Sequence, residues 1–469
     1  MRQIKRWQEP FYGIGGFGTG FMLMVAMSYL APFYLPPMEE ITGGAINLAP
    51  VILFTVLFTI SRVIDGLIDI PIASWSDNLR SKWGRRRPLI LLGIVPMIAA
   101  YALMWFPPVK DTSWVNAVYV GILSVIFFCS YTLSTVPYLS ALSEIVPDEK
   151  SRVRVASWQT FFNTMGYVLA YVLMPILFGL LGKQMAVLVL VPCMLTILIP
   201  VFIIKEKSTK GEGAKMLGAE PKVPLWTSFK MTIQNKKFMR YLVMYALLWF
   251  GLSAFLGGLY YMASDMMGLT KIVDGVVEVD GAQLAIMNAA AFAPVPIMLL
   301  IMNAIVKKKG IMLALKIGLA AFAVAMSIFI LSWTGWGITM FKGSLFTLMG
   351  AQVTQAVLLG AIAGFFGSFA IGVFFTVPYA IPAQIAAEEA AVTGKNRAAM
   401  YLAVQGVVNQ IVGALAGTLF VVNVAKIYLG TANATGILLV PPVVIIVSII
   451  SLLLVNRINK AKTISSESA

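Results

Sequence analysis

The sequence predicts an all-α polytopic membrane protein of twelve transmembrane helices in two pseudo-symmetric six-helix bundles. Three observations carry this expectation. Of 469 residues, 59% are hydrophobic and only 12% are charged, too apolar a balance for a soluble domain. Apolar runs of about 20 residues, the length that crosses a bilayer core, recur along the whole chain. A polar, lysine-rich segment then divides those runs into two sets of six that carry matching motifs. The 39 glycines and 23 prolines fit the same class, because helix neighbours in a membrane bundle re-satisfy the backbone groups they free.

Taken in order, the N-terminal MRQIKRWQEP is basic and reads as an interfacial lead-in. The apolar run after it is too long for a signal-peptide core and lacks an A-x-A cleavage site. The first six spans are expected at 11–37, 46–75, 88–107, 114–139, 155–182 and 184–204, and the second six at 241–266, 283–306, 311–332, 353–380, 398–424 and 434–456. Between the sets, KEKSTKGEGAK has the composition of a flexible linker. The following VPLWTSFKMTIQNKKFMR places Leu225, Trp226, Phe229 and Ile233 on one helical face, as in a helix lying on a membrane surface. The expected organisation is 1–204, an N-terminal six-helix bundle; 205–240, a cytoplasmic central loop with an interfacial helix; 241–456, a C-terminal six-helix bundle; and 457–469, a cytoplasmic tail.

The net charge of +15 is topological. The N-terminus, the loops near 76–87, 140–154, 205–240, 307–310 and 381–397, and the C-terminus hold 28 of the 35 Lys and Arg residues. The opposite loops hold Lys110, Lys183, Lys271, Lys342 and Lys426. This asymmetry predicts that both termini are cytoplasmic, in a plasma or inner membrane. The basic loops then have anionic headgroups as partner, and nucleic acid is excluded. There is no histidine, which removes imidazole catalysis and imidazole metal sites. Cys129 and Cys193 fall in apolar spans, unsuited to a disulfide or thiolate metal site.

The halves resemble each other. VPYLSALSEIVPDEKSRVRVASWQTFFN begins at Val136 and VPYAIPAQIAAEEAAVTGKNRAAMYLAVQGVVN at Val377. Each starts with Val-Pro-Tyr at the end of its fourth span, continues through an acidic then basic loop, and enters the next span with Gln-x-x-x-Asn: Gln159/Asn163 and Gln405/Asn409. Repeated halves of this kind characterise transporters of the major facilitator type, whose substrates bind near mid-membrane between the repeats.

The stretch TISRVIDGLIDIPIASWSDNLRSKWGRRRPLILLG carries the chemistry. Arg62, Asp65 and Asp69 fall within an arc of about 60° on a helix. Asp65 is roughly 22 Å from Arg80 along the axis, deep in the span. Intramembrane carboxylates are costly unless paired or ion-bound. One Arg and two Asp leave a charge of −1, which one Na⁺, Li⁺ or H⁺ would neutralise. Linkage of that occupancy to a neighbouring solute is the core of cation-coupled symport. A static ion pair would need only one Asp. An intramembrane aspartyl protease would need facing carboxylates from different helices in a Gly-x-Gly-Asp context, which is absent, so the chain is not read as an enzyme.

SRVIDGLIDIPIASWSDNLRSKWGRRRP resembles the helix 2 and loop 2–3 signature of the glycoside–pentoside–hexuronide:cation symporters, the melibiose-permease group of the major facilitator superfamily. YTLSTVPYLSALSEIVPDEKSR is similar to that family's helix 4 and loop 4–5. GRRRP and the stretch from Val377 resemble its sucrose-transporter-like branch. The resemblance implies the major facilitator fold, with Asp65 and Asp69 as the cation-site carboxylates (the metal ligands if the ion is sodium), Arg62 beside them and Thr132 as a hydroxyl completing the site. Ile68 stands where melibiose-permease relatives carry an amide. Gly20, Thr135, Thr160 and Gln410 replace residues of their sugar site, so the resemblance keeps the cation site and leaves the sugar open. No cofactor is implied beyond the coupling Na⁺ or H⁺.

Saccharides are held by hydrogen-bonding side chains and aromatic faces. The candidates are Tyr29, Tyr34, Thr135, Trp158, Gln159 and Asn163 in the first half, and Tyr245, Trp249, Tyr379, Gln405 and Asn409 in the second. Interhelical bonding or interfacial anchoring is the plainer role for such groups. The scarcity of other intramembrane charge favours a neutral saccharide as the small-molecule substrate. A lysophospholipid or other amphiphile, or an uncoupled facilitator, is the alternative. Asp77, Arg85, Arg86, Arg87, Glu144 and Glu388 could latch a cytoplasmic gate or simply set topology. The protein is expected to act as a monomer.

Overall fold

The computed structural model describes residues 5–145, 149–204, 225–273, 275–336, 344–348, 351–393, 398–430 and 434–458. Among these, eleven helices are long and apolar enough to cross a membrane, and a twelfth, shorter apolar helix stands third in the chain. We number the spans in chain order: Arg6–Thr42, Val51–Asp69, Arg87–Leu103, Trp114–Leu142, Arg154–Leu181, Lys183–Ile203, Lys236–Met266, Gly281–Lys309, Ile311–Leu331, Gln355–Phe374, Met400–Ala425 and Gly436–Val455. The third is shorter than the rest, 17 residues, or about 26 Å of helix. It was expected to reach residue 107, but its end tightens into 3₁₀-type bonds, Trp105 N–H to Ala102 and Phe106 N–H to Leu103, ahead of Pro107 and Pro108. The helix of span 2 continues past Asp69 to Asn78.

Several spans are interrupted. Pro192 opens a 3₁₀ segment, Val191–Ile197, inside span 6. Span 7 ends in a π-turn, Met262–Met266, and span 11 contains another, Leu415–Phe420. The central segment yields a helix at Leu225–Gln234, where an interfacial helix was expected. Among the described residues, two small antiparallel hairpins lie in the loops: Thr270–Val273 with Val276–Val279, and Phe346–Leu348 with Ala351–Val353.

The chain forms two compact units: Met1–Pro36 with Ile46–Glu220, and Pro37–Ala45 with Pro221–Ala469. In the first, span 1 packs on span 5, and span 4 packs on spans 2 and 3. Glycines allow the closest approach. A Cβ on Gly166 would lie 2.5 Å from the Phe17 carbonyl oxygen, so spans 1 and 5 meet backbone to backbone. In the second unit, span 10 packs on spans 8 and 9, and span 12 packs on spans 7 and 9. Span 7 also crosses the π-turn of span 11, where Gly257 meets Gly417.

The segment Pro37–Ala45, expected to sit with the first bundle, groups with the second unit. Its short helix, Met38–Thr42, is capped by Asp265, whose two carboxylate oxygens accept from the Met38 and Glu39 backbone N–H groups at 3.0 Å each. The Tyr260 hydroxyl donates to Glu40 at 2.9 Å.

Candidate ion and solute sites

Helix periodicity places Arg62, Asp65 and Asp69 on one face of span 2, and this face packs on span 4. Asp65 is 1% exposed. Its Oδ2 accepts from Arg62 Nη1 at 2.8 Å and its Oδ1 from the Thr132 hydroxyl at 2.9 Å. The guanidinium carbon lies 4.3 Å from the centroid of the Phe128 ring, a cation–π contact strengthened by desolvation. Asp69, one turn further on, is only half-buried. It lies within electrostatic reach of Asp65 and Arg62. Tyr131 is within electrostatic reach of all three charges.

This geometry separates the two carboxylates. Asp65 is met by an arginine and a hydroxyl, and Asp69 is the more open of the two carboxylates. The oxygens of Asp65, Asp69 and Thr132 are hard donors suited to a small monovalent cation, and either carboxylate could take a proton. Phe128 and Tyr131 were not singled out from sequence, although Phe128 is four residues from Thr132 and thus on its face.

The other candidates of the first unit divide by partner. Tyr34 is fully buried, its hydroxyl donating to the Met104 carbonyl at 2.8 Å. Tyr29 is buried against Phe178 in an edge-to-face contact, with its hydroxyl 3.4 Å from the Tyr171 carbonyl. The Thr135 hydroxyl donates back to Tyr131 of its own helix at 2.8 Å. Trp158 is exposed and clusters with Phe161 and Phe162. Asn163 donates to the Tyr167 hydroxyl at 3.3 Å. Gln159 is buried, and its Nε2 has no partner among the described residues.

In the second unit Tyr245, Trp249, Gln405 and Asn409 come together. The Tyr245 hydroxyl donates to Asn409 Oδ1 at 2.9 Å, and Tyr241, a residue not proposed from sequence, donates to Gln405 Oε1 at 3.1 Å. Trp249 stacks on Tyr245. Gln405 is 2% exposed and its Nε2 lacks a partner among the described residues. An unmet buried donor costs about 1–3 kcal/mol. The Tyr379 side chain lies outside the described residues.

Of the gate candidates, the side chains of Asp77 and Glu144 lie outside the described residues. Arg86 is buried and donates to Ser76 at 2.6 Å, so it ties the basic turn to the end of its own helix, while Arg85 and Arg87 are half-buried. Glu388 pairs with Lys237 of the same unit. Beside it, the buried Glu389 accepts from the Tyr401 hydroxyl at 2.7 Å, which in turn accepts from Asn235 at 2.8 Å. In the first unit Glu9 and Arg154 form a two-bond pair, both at 2.5 Å.

A family model described as MFS/sugar transport protein matches residues 11–460. The inner membrane symporter YicJ of Escherichia coli is 27% identical over 171 residues, 36% of this chain and 35% of that protein. The isoprimeverose transporter of Lactiplantibacillus pentosus is 22% identical over 264 residues, 54% of this chain and 51% of that protein. The lactose permease of Lactobacillus helveticus is 24% identical over 176 residues, 36% of this chain and 26% of that protein. The matched stretches thus span about a quarter to a half of these relatives' lengths. Among solved structures, the nucleoside transporter NupG superposes with a TM-score of 0.60 at 13% identity, covering 97% of this chain and 98% of that one. A POT family transporter bound to a thioalcohol-conjugated peptide gives 0.63 at 13% identity, covering 96% of each chain. At such identity these structures speak for the fold alone.

Proposed function

The chain belongs to the MFS/sugar transport protein family, and from that premise we propose that it is a secondary active transporter coupling the import of a neutral saccharide or glycoside to Na⁺ or H⁺ by alternating access. The observation that carries this reading is the buried Arg62–Asp65–Thr132 arrangement with Asp69 beside it. Arg62 and Thr132 already satisfy Asp65, so a second carboxylate at this depth is costly unless something else visits it. A cation or proton that neutralises Asp69 removes that cost, and a solute bound preferentially in the neutralised state is thermodynamically coupled to the ion. The names of the symporter, isoprimeverose and lactose relatives support a sugar-type solute. The excess of Lys and Arg in one set of loops supports a reading in which both termini are cytoplasmic.

The test uses purified protein in sealed vesicles, with Na⁺ or H⁺ gradients imposed separately and uptake of labelled lactose, isoprimeverose and sucrose followed. One of the gradients drives accumulation above equilibrium, and Asp65→Asn and Asp69→Asn each abolish it while facilitated equilibration can persist. Accumulation retained in both variants removes the coupling site. An end point indifferent to both gradients makes the protein a facilitator. Protease protection of the termini in the same vesicles reads out their side.

A further inference from the structure

The two copies of Gln-x-x-x-Asn have different neighbours. In the first unit span 1 meets them with glycines at the same four-residue spacing. A Cβ on Gly16 would lie 3.3 Å from the Gln159 carbonyl oxygen, and one on Gly20 only 2.1 Å from Asn163 Oδ1. That copy is packed against bare backbone. In the second unit span 7 presents tyrosines instead. Tyr241 and Tyr245 stack with centroids 5.8 Å apart and planes at 21°, and Trp249 continues the stack 6.1 Å beyond at 25°. Each tyrosine hydroxyl donates to one amide oxygen, Tyr241 to Gln405 and Tyr245 to Asn409. An amide whose oxygen is claimed by a donor must turn its NH₂ away from that donor. The Gln405 Nε2 is buried without a partner among the described residues, and no bond to Asn409 Nδ2 occurs among them.

We propose that Tyr241 and Tyr245 are positioning residues for solute recognition. They fix the Gln405 and Asn409 amides so that N–H donors face the bound solute, next to the flat ring of Trp249. The inference rests on the transport reading above and narrows its solute. Two neutral donors beside an aromatic plane suit a pyranoside, whose hydroxyl oxygens accept hydrogen bonds while its C–H face lies on the ring. They do not suit an anionic sugar, because neutral donors alone do not repay the desolvation of a full charge.

The experiment is a double-mutant cycle on the full chain in detergent, with lactose, isoprimeverose and sucrose as probes and thermal shift and calorimetry as readouts. Tyr245→Phe removes one hydroxyl and weakens binding of the responding sugar about five- to tenfold, the weight of one neutral hydrogen bond. In an Asn409→Ala background the same change has less than about a twofold effect, since the tyrosine acts through the missing amide. In vesicles Tyr245→Phe raises KM and leaves maximal rate unchanged. Tyr241→Phe against Gln405→Ala repeats the cycle independently. A sugar that binds wild type and Tyr245→Phe equally, or the same loss in both backgrounds with a lowered sugar-free melting temperature, overturns the proposal and leaves the transport reading standing. If no sugar binds the wild-type protein, the saccharide reading falls and takes this proposal with it.

Discussion

Asp65 depends on Arg62. Its carboxylate is 1% exposed, and a guanidinium and a hydroxyl meet its two oxygens. Removing one member of a buried pair typically costs about 3–5 kcal/mol, whereas removing both can be nearly neutral. Arg62→Ala should therefore lower the melting temperature sharply, and Arg62→Ala with Asp65→Ala should recover most of the loss. A double variant no more stable than the single one would show that the pair carries no such debt. The charged residues of this site were legible because helical spacing fixes which side chains share a face and because intramembrane charge is rare enough to be conspicuous. Thr132 was reachable through family resemblance. Phe128 was not, since nothing in the local pattern says which ring will lie under a guanidinium of another helix. The same limit applied to Tyr245 and Asn409. Each was a candidate alone, but a bond between residues 164 positions apart leaves no local trace.

At the level of helices, apolar length was a sound guide to the spans, and proline and glycine were less so. Pro107 and Pro108 did not simply end span 3; the helix tightened several residues earlier. The π-turns at Met262–Met266 and Leu415–Phe420 had no sequence signal. At the second of them Gly257 crosses over Gly417. A Cβ on Gly257 would fall 2.4 Å from the Gly417 carbonyl oxygen and 2.9 Å from its Cα. Two effects compete in Gly257→Ala: helix propensity favours alanine by about 1 kcal/mol, while overpacking against a core costs about 1–3 kcal/mol. The obstructing atoms are backbone and cannot swing aside, so the clash wins. Gly257→Ala is expected to melt below wild type, and a variant that melts higher would mean the crossing is looser than it looks. The loop after span 7 contains Val-Asp-Gly-Val, a hairpin signal of the Asp-Gly type that an all-helical reading passes over.

On the scale of the whole molecule, the repeated halves and the basic loops were readable from sequence, whereas the assignment of Pro37–Ala45 to the second unit was not. Within that unit Asp265 caps its helix N-terminus and Tyr260 bonds Glu40. Lys426, just past the end of span 11, completes this charged patch. Burial presses its ammonium down to about 8 from an ordinary 10.5, against the opposing pull of Asp265 and Glu40. The sign of the resulting pH dependence follows from proton counting. Between pH 8 and 10.5 the unfolded chain holds a proton on this residue that the folded chain has released, so folding stability rises with pH across that window. Below about pH 8 both states are charged and the full cost of burying the ammonium is present. The contrast is taken against Lys426→Met, which keeps the bulk and removes the charge. Melting curves collected from pH 7 to 10 should show the wild type trailing the variant at the acidic end and closing the gap as the pH passes about 8. Curves that stay parallel over this range would mean that the folded state keeps the ammonium charged, through solvation or through its attraction to Asp265 and Glu40.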